Sequence, residues 1–124
     1  MTVDFPGELA SIEYCYLTTT GRRSGEPHTV EIWFGVLGDQ VCLIGGHSDT
    51  DWLANLRRRT DVSVRIGADT RVGQAIVVSD PVERRAIGEL LGTKYELLLE
   101  PADVADTAAS WAYGATAVAI GGWR

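Results

Sequence analysis

Between His28 and Leu37 the chain alternates with a period of two. Val30, Ile32, Phe34 and Val36 fall on one side, and Thr29, Glu31, Trp33 and Gly35 on the other. Only an extended backbone sends successive side chains to opposite faces, so this run specifies a strand with one apolar side and puts Trp33 opposite it. The same grammar recurs along the chain. Tyr14 to Thr20 (YCYLTTT) is aromatic and β-branched, and Gln40 to Ile44 follows the two-residue turn Gly38-Asp39. Val62, Val64 and Ile66 alternate with Ser63 and Arg65, and Gly67-Ala68-Asp69 then turns the chain into Thr70 to Val78. A last apolar segment, Ala115 to Ile120, is suited to closing a sheet.

Helical signals are fewer. From Asp51 to Arg58 the residues Trp52, Leu53 and Leu56 form an apolar stripe at helical spacing, behind the candidate N-caps Ser48, Asp49 and Thr50. Asp80-Pro81-Val82-Glu83 is a helix start, and Ile87, Leu90 and Leu91 give that helix an apolar face ending near Gly92. Lys94 to Leu99 reads equally as helix or strand, whereas Pro101 to Trp111 has the alanine content of a helix, with Gly114 as its stop. The first dozen residues read as an arm or a short irregular helix anchored by Leu9 and Ile12. Six strands joined by tight hairpins, with two or three helices, predict a mainly β single domain over residues 1–124: an antiparallel barrel with helices packed outside.

Composition narrows the function. Asp and Glu total 17 against 11 basic residues, for a net charge of −6, whereas a nucleic-acid partner needs a broad positive face. No apolar run approaches the roughly 20 residues of a membrane helix. The start MTVDFPGELA has no basic region ahead of an apolar one, so a cytoplasmic protein without a secretory signal is expected. Cys15 and Cys42 lie in strand-like segments and read as buried free thiols. The two histidines and two cysteines lack the spacing of a zinc site, so no metal is expected.

Against that acidic background Gly21-Arg22-Arg23-Ser24-Gly25 is an exception. Glycines let several backbone N–H groups turn toward one point, arginines offer forked donors that match phosphate or carboxylate, and a serine adds a hydroxyl. The segment is therefore either an anion site or a solvated hairpin turn. A second potential anion site is the glycine pair Gly45-Gly46 ahead of the Asp51 helix, although Asp49 and Asp51 oppose an anion there. Trp33 is either a packing residue or the wall of a ring-binding site, Trp52 is first a core residue, and Asn55 either caps backbone or meets a ligand. Neither a nucleophile elbow nor a dinucleotide fingerprint is present, so the chemistry is expected to be a cofactor's.

The LTTTGRRSG block, followed by the W-x-x-N-L helix Trp52 to Leu56 and its succeeding strand, resembles the deazaflavin-dependent nitroreductase and quinone reductase family over roughly Tyr14 to Leu91. These are split-barrel oxidoreductases that use coenzyme F-420, an 8-hydroxy-5-deazaflavin, within the FMN-binding split-barrel superfamily. The resemblance implies a six-stranded antiparallel split β-barrel. It also implies hydride transfer from the reduced coenzyme to a quinone, nitroaromatic or similar electron-poor acceptor. Arg22 and Arg23 match the basic pair that holds the phosphate and glutamate tail, with Ser24 beside them. His28 matches a position that tends to be basic, and Trp33 an aromatic position beside the ring. Gly45, Gly46 and His47 match the loop that wraps the cofactor, and Trp52 and Asn55 the helix after it. The loop from Gly45 to Asp51 is shorter than the nitroreductase branch leads one to expect and carries His47 without a lysine. Tyr95 and Tyr113 are acceptor-side or core residues, and no catalytic side chain is assigned. A homodimer is implied. The alternatives are an FMN-dependent oxidoreductase and a non-catalytic binder of a small apolar acid or lipid on the same fold.

Overall fold

The alternating runs become strands whose apolar sides face a common interior. The computed structural model describes residues 4–45, 50–95 and 115–124. Its strands are β1 (Tyr14–Thr20), β2 (Pro27–Trp33), β3 (Gly35–Leu37), β4 (Gln40–Ile44), β5 (Asp61–Ile66), β6 (Asp69–Val77) and β7 (Ala117–Gly121). They form one antiparallel sheet in the order β2-β1-β5-β6-β7-β4-β3. Two α-helices, α1 (Asp51–Arg58) and α2 (Pro81–Lys94), and a short 3₁₀ turn at Gly7–Leu9 complete the described residues.

The sheet has seven strands where six are predicted, because the run from His28 to Leu37 is broken at Phe34. Before the break β2 pairs with β1; after it β3 pairs with β4. β2 and β3 are the two edges of the sheet, yet one residue separates them in the chain. The sheet must therefore curl until its edges meet, which leaves Phe34 on the seam, fully buried. Alternation runs through this point without interruption, so the pattern carries no mark of the change of partner.

Leaving both ladders strips Phe34 of its sheet partners, and buried backbone groups need replacements. The end of α2 supplies them. The Phe34 N–H donates to the Tyr95 hydroxyl at 3.0 Å, its carbonyl accepts from Lys94 Nζ at 2.9 Å, and the single Tyr95 hydroxyl proton is shared between the Glu13 carbonyl at 2.7 Å and the Phe34 carbonyl at 2.9 Å. α2 comes this close because Gly35 has no side chain: a Cβ there would lie 2.6 Å from Leu90 Cδ2.

Two apolar layers result. Cys15, Leu17, Val41, Leu43, Val62, Val64, Ile66, Val118 and Ile120 fill the interior, with Trp52, Leu53 and Leu56 of α1 packed into it and Leu9 and Ile12 against it. Outside, Ile87 and Leu91 of α2 cover Cys42, Ile44, Ala117 and Ala119. Both cysteines are buried and free, and burial pushes each thiol up to about 12. Asp80 caps α2 by accepting the Val82 N–H at 3.3 Å, and the helix runs to Lys94, past Gly92. Tyr95 ends α2 as its C-cap. The predicted helix over Pro101 to Trp111, Tyr113, and the loop residues Gly46 and His47 lie outside the described residues.

Candidate functional site

β1 delivers the chain into the arginine turn and β2 carries it away. The turn is closed by the Gly21 N–H donating to the Glu26 carbonyl at 2.8 Å and the Gly25 N–H donating to the Gly21 carbonyl at 2.9 Å. Its two glycines serve different needs. Gly25 takes a positive φ of 72°. Gly21 provides space: a Cβ there would lie 2.7 Å from Ser24 Oγ and 2.9 Å from His28 Nε2. Those two polar atoms converge over the bare Gly21 backbone. Ser24 Oγ accepts the Glu26 N–H at 3.1 Å, which leaves its own proton to donate elsewhere.

α1 forms the opposite wall, and Asn55 joins the two sides. Only 3% exposed, it donates from Nδ2 to Thr19 Oγ1 at 3.2 Å. Its Oδ1 accepts both the Arg22 backbone N–H at 3.1 Å and Arg22 Nη1 at 2.9 Å. Arg22 Nη2 meets Asp51 Oδ1 at 3.3 Å, whereas Arg23 is exposed and has no hydrogen-bond or ion-pair partner among the described residues. Between the walls lies an open cleft of about 390 Å³ lined by Gly21, Arg22, Arg23, Ser24, His28, Thr29, Val30, Asp51, Trp52 and Asn55. That volume is in the range of small-ligand sites.

Six of the sequence-predicted residues thus meet in one cleft: Arg22, Arg23, Ser24, His28, Trp52 and Asn55. Trp52 is also a core residue, 8% exposed. Asn55 spends its amide on the protein and acts as a positioning residue for Arg22. Gly45 and Trp33 are not part of the cleft lining. Gly45 is buried behind Trp52, where a Cβ would lie 3.6 Å from Trp52 Cζ2, and its N–H donates to the Thr116 carbonyl at 2.8 Å. Trp33 sits on the outward face of β2, stacked on Tyr95 with ring centroids 4.2 Å apart and planes 5° from parallel. His28 and Trp33 are five residues apart on one strand, about 16 Å at strand rise, and alternation turns them to opposite faces. Gly46 and His47 are outside the described residues.

Trp33 instead lines a second cleft of about 420 Å³ with Ser11, Glu13, Lys94 and Tyr95. Lys94 Nζ donates to the Ile12 and Phe34 carbonyls at 2.7 and 2.9 Å and lies 3.7 Å from the centre of the Phe34 ring. Burial pulls this amine down to about 8, with Cys15 and Glu13 opposing the shift. Burial likewise pushes the Tyr95 hydroxyl up to about 12. These two residues pin the barrel seam, a role with no local signal in the sequence. In the sequence Asp51 reads only as an acid opposing an anion at the helix start; its pairing with Arg22, and that of Thr19 with Asn55, have no local signal either.

An antiparallel barrel with this cleft at one end defines a split-barrel protein, and solved structures share the fold. The conserved hypothetical protein Rv2991 of Mycobacterium tuberculosis superposes with a TM-score of 0.72 at 20% identity, over 100% of this chain and 81% of that one. An F420-H2-dependent reductase, FDR-A, superposes with a TM-score of 0.68 at 18% identity, over 86% of this chain and 92% of that one. A structure described as a domain-swapped dimer gives 0.68 at 17% identity, over 86% and 78%. No protein of curated function matches the sequence. Within the split-barrel class the chain belongs to the F420H(2)-dependent quinone reductase family, whose model matches residues 2–94.

Proposed function

We propose that the protein is an F-420H2-dependent oxidoreductase that passes hydride to a quinone, nitroaromatic or similar electron-poor acceptor. The observation that supports this best is the convergence of Arg22, Arg23, Ser24 and His28 on one open cleft, in a chain of the quinone reductase family. Two guanidiniums, a hydroxyl with a free proton and an imidazole gathered over an uncovered glycine fit an anionic phosphate and glutamate tail.

When bound, the reduced deazaflavin supplies the hydride. The chain's own residues bind and orient. Arg22 and Arg23 clamp the tail, Ser24 and His28 add donors, and Asn55 holds the Arg22 fork in register with α1. Trp52 gives the cleft an apolar floor. The protein acts as a homodimer in this reading, which the neighbour described as a domain-swapped dimer supports. Light scattering at two concentrations should give twice the monomer mass at both, and a monomer at both would remove this part of the proposal.

The test is a fluorescence titration with F-420 beside FMN, followed by turnover of quinones and nitroaromatics with the reduced coenzyme. F-420 should bind and FMN should not. Arg22→Ala with Arg23→Ala should weaken F-420 by about a hundredfold or more, since hydrogen bonds to charged groups contribute roughly 1.5–3 kcal/mol each. Unchanged affinity in the double variant would make the tail-clamp assignment wrong.

A further inference from the structure

The Arg22 guanidinium is held on two sides, and the two holders differ in kind. Asn55 is buried, and its amide also binds Thr19 and the Arg22 backbone, so it is a fixed part of the wall. Asp51 is the reverse. Its side chain is 92% exposed, and among the described residues its carboxylate has no hydrogen-bond or ion-pair partner but Arg22 Nη2, at 3.3 Å. It stands on the rim of the cleft, where it takes up donor capacity of one of the two arginines.

We propose that Asp51 is a displaceable internal competitor: a carboxylate that occupies Arg22 while the cleft is empty and yields it to a phosphate-bearing anion. This rests on reading the cleft as the tail site. Exposed ion pairs are weak, so displacement costs the ligand little. A forked guanidinium matched to a phosphate outbids a single 3.3 Å contact. Arg23, without a partner among the described residues, is open to the first contact, and Arg22 is released when the anion reaches across both. Asp51 therefore acts as an affinity-determining residue without being a required contact. It keeps Arg22 extended over the cleft, and it sets a threshold that an anion engaging Arg23 alone does not have to pass.

The experiment is a double-mutant cycle read by calorimetric titration with inorganic pyrophosphate at fixed low salt. It uses the wild type, Asp51→Asn, Arg22→Ala and the double variant. Asp51→Asn preserves shape, and thermal melting checks that all four are folded. Pyrophosphate should bind Asp51→Asn about two- to fivefold more tightly than wild type, the span of an exposed ion pair. That gain should vanish when Arg22 is alanine. Equal or weaker binding by Asp51→Asn overturns the proposal. So does a gain that persists in the Arg22→Ala background, which would mean that Asp51 repels the ligand directly, and so does absence of pyrophosphate binding in every variant. A parallel F-420 titration separates the two readings. If pyrophosphate follows the cycle but F-420 does not bind, the proposed function fails while the competitor role of Asp51 stands.

Discussion

At Gly21 and Gly25 one residue type does two jobs, and substitution should separate them. Alanine at Gly25 meets open space but must hold a φ of 72°, so it should cost about 1–2 kcal/mol of stability and leave the cleft intact. Alanine at Gly21 carries no such strain. Its Cβ pushes Ser24 and His28 apart, so it should weaken anion binding severalfold with little change in melting temperature. Paired thermal melts and titrations of the two variants check this. That the turn is unusual is legible locally, because two arginines between glycines stand out in an acidic chain. The sequence held no sign that one glycine serves torsion and the other clearance, since that depends on where His28 returns on β2.

Among the elements, the seam between β2 and β3 depends on a helix that comes more than 45 residues later in the chain. Tyr95→Phe removes the hydroxyl that takes the Phe34 N–H and leaves a buried donor unsatisfied. It should cost about 1–3 kcal/mol, more than the loss of an average hydrogen bond. Urea unfolding measures this, with the slope of the transition expected to stay unchanged. Strand positions were legible because period two is a local property of the side chains. The break at Phe34 was not, because Phe34 keeps pointing inward while its backbone changes partner. Trp33 shows the same limit. Its outward direction followed from alternation, but its stacking on Tyr95 required knowing where α2 ends.

For the whole molecule, the buried thiols and the half-buried Lys94 and Tyr95 predict a stability profile with a maximum near pH 9. Lys94 has a folded-state value of about 8 against an ordinary 10.5, so its burial cost is fully present below pH 8 and is relieved as pH rises toward 10.5. Cys15 and Cys42 run the other way. Raised from 9.0 to about 12, they favour the folded state below pH 9, and that contribution is lost between 9 and 12. Tyr95, raised from 10.0 to about 12, adds to the loss above pH 10. The unfolding free energy should rise by at most about 1 kcal/mol from pH 8 to 9 and fall beyond it. Urea unfolding in half-unit steps under reducing conditions should show the rise disappearing in Lys94→Met while the fall remains.

Alternation, tight-turn residues and capping signals are encoded within a few positions of where they act. The chain by itself therefore determined the strands, both described helices, the buried thiols and the arginine turn. Which strand edges meet is a property of closure, and it depends on pairs of residues far apart in the chain. Tertiary structure alone decided that the barrel closes at Phe34, that Lys94 and Tyr95 satisfy its backbone, and that Asn55 and Asp51 of α1 share Arg22. Trp33 stays out of the arginine cleft because it lies at the end of β2 away from the turn, where it stacks on the Tyr95 that ends α2.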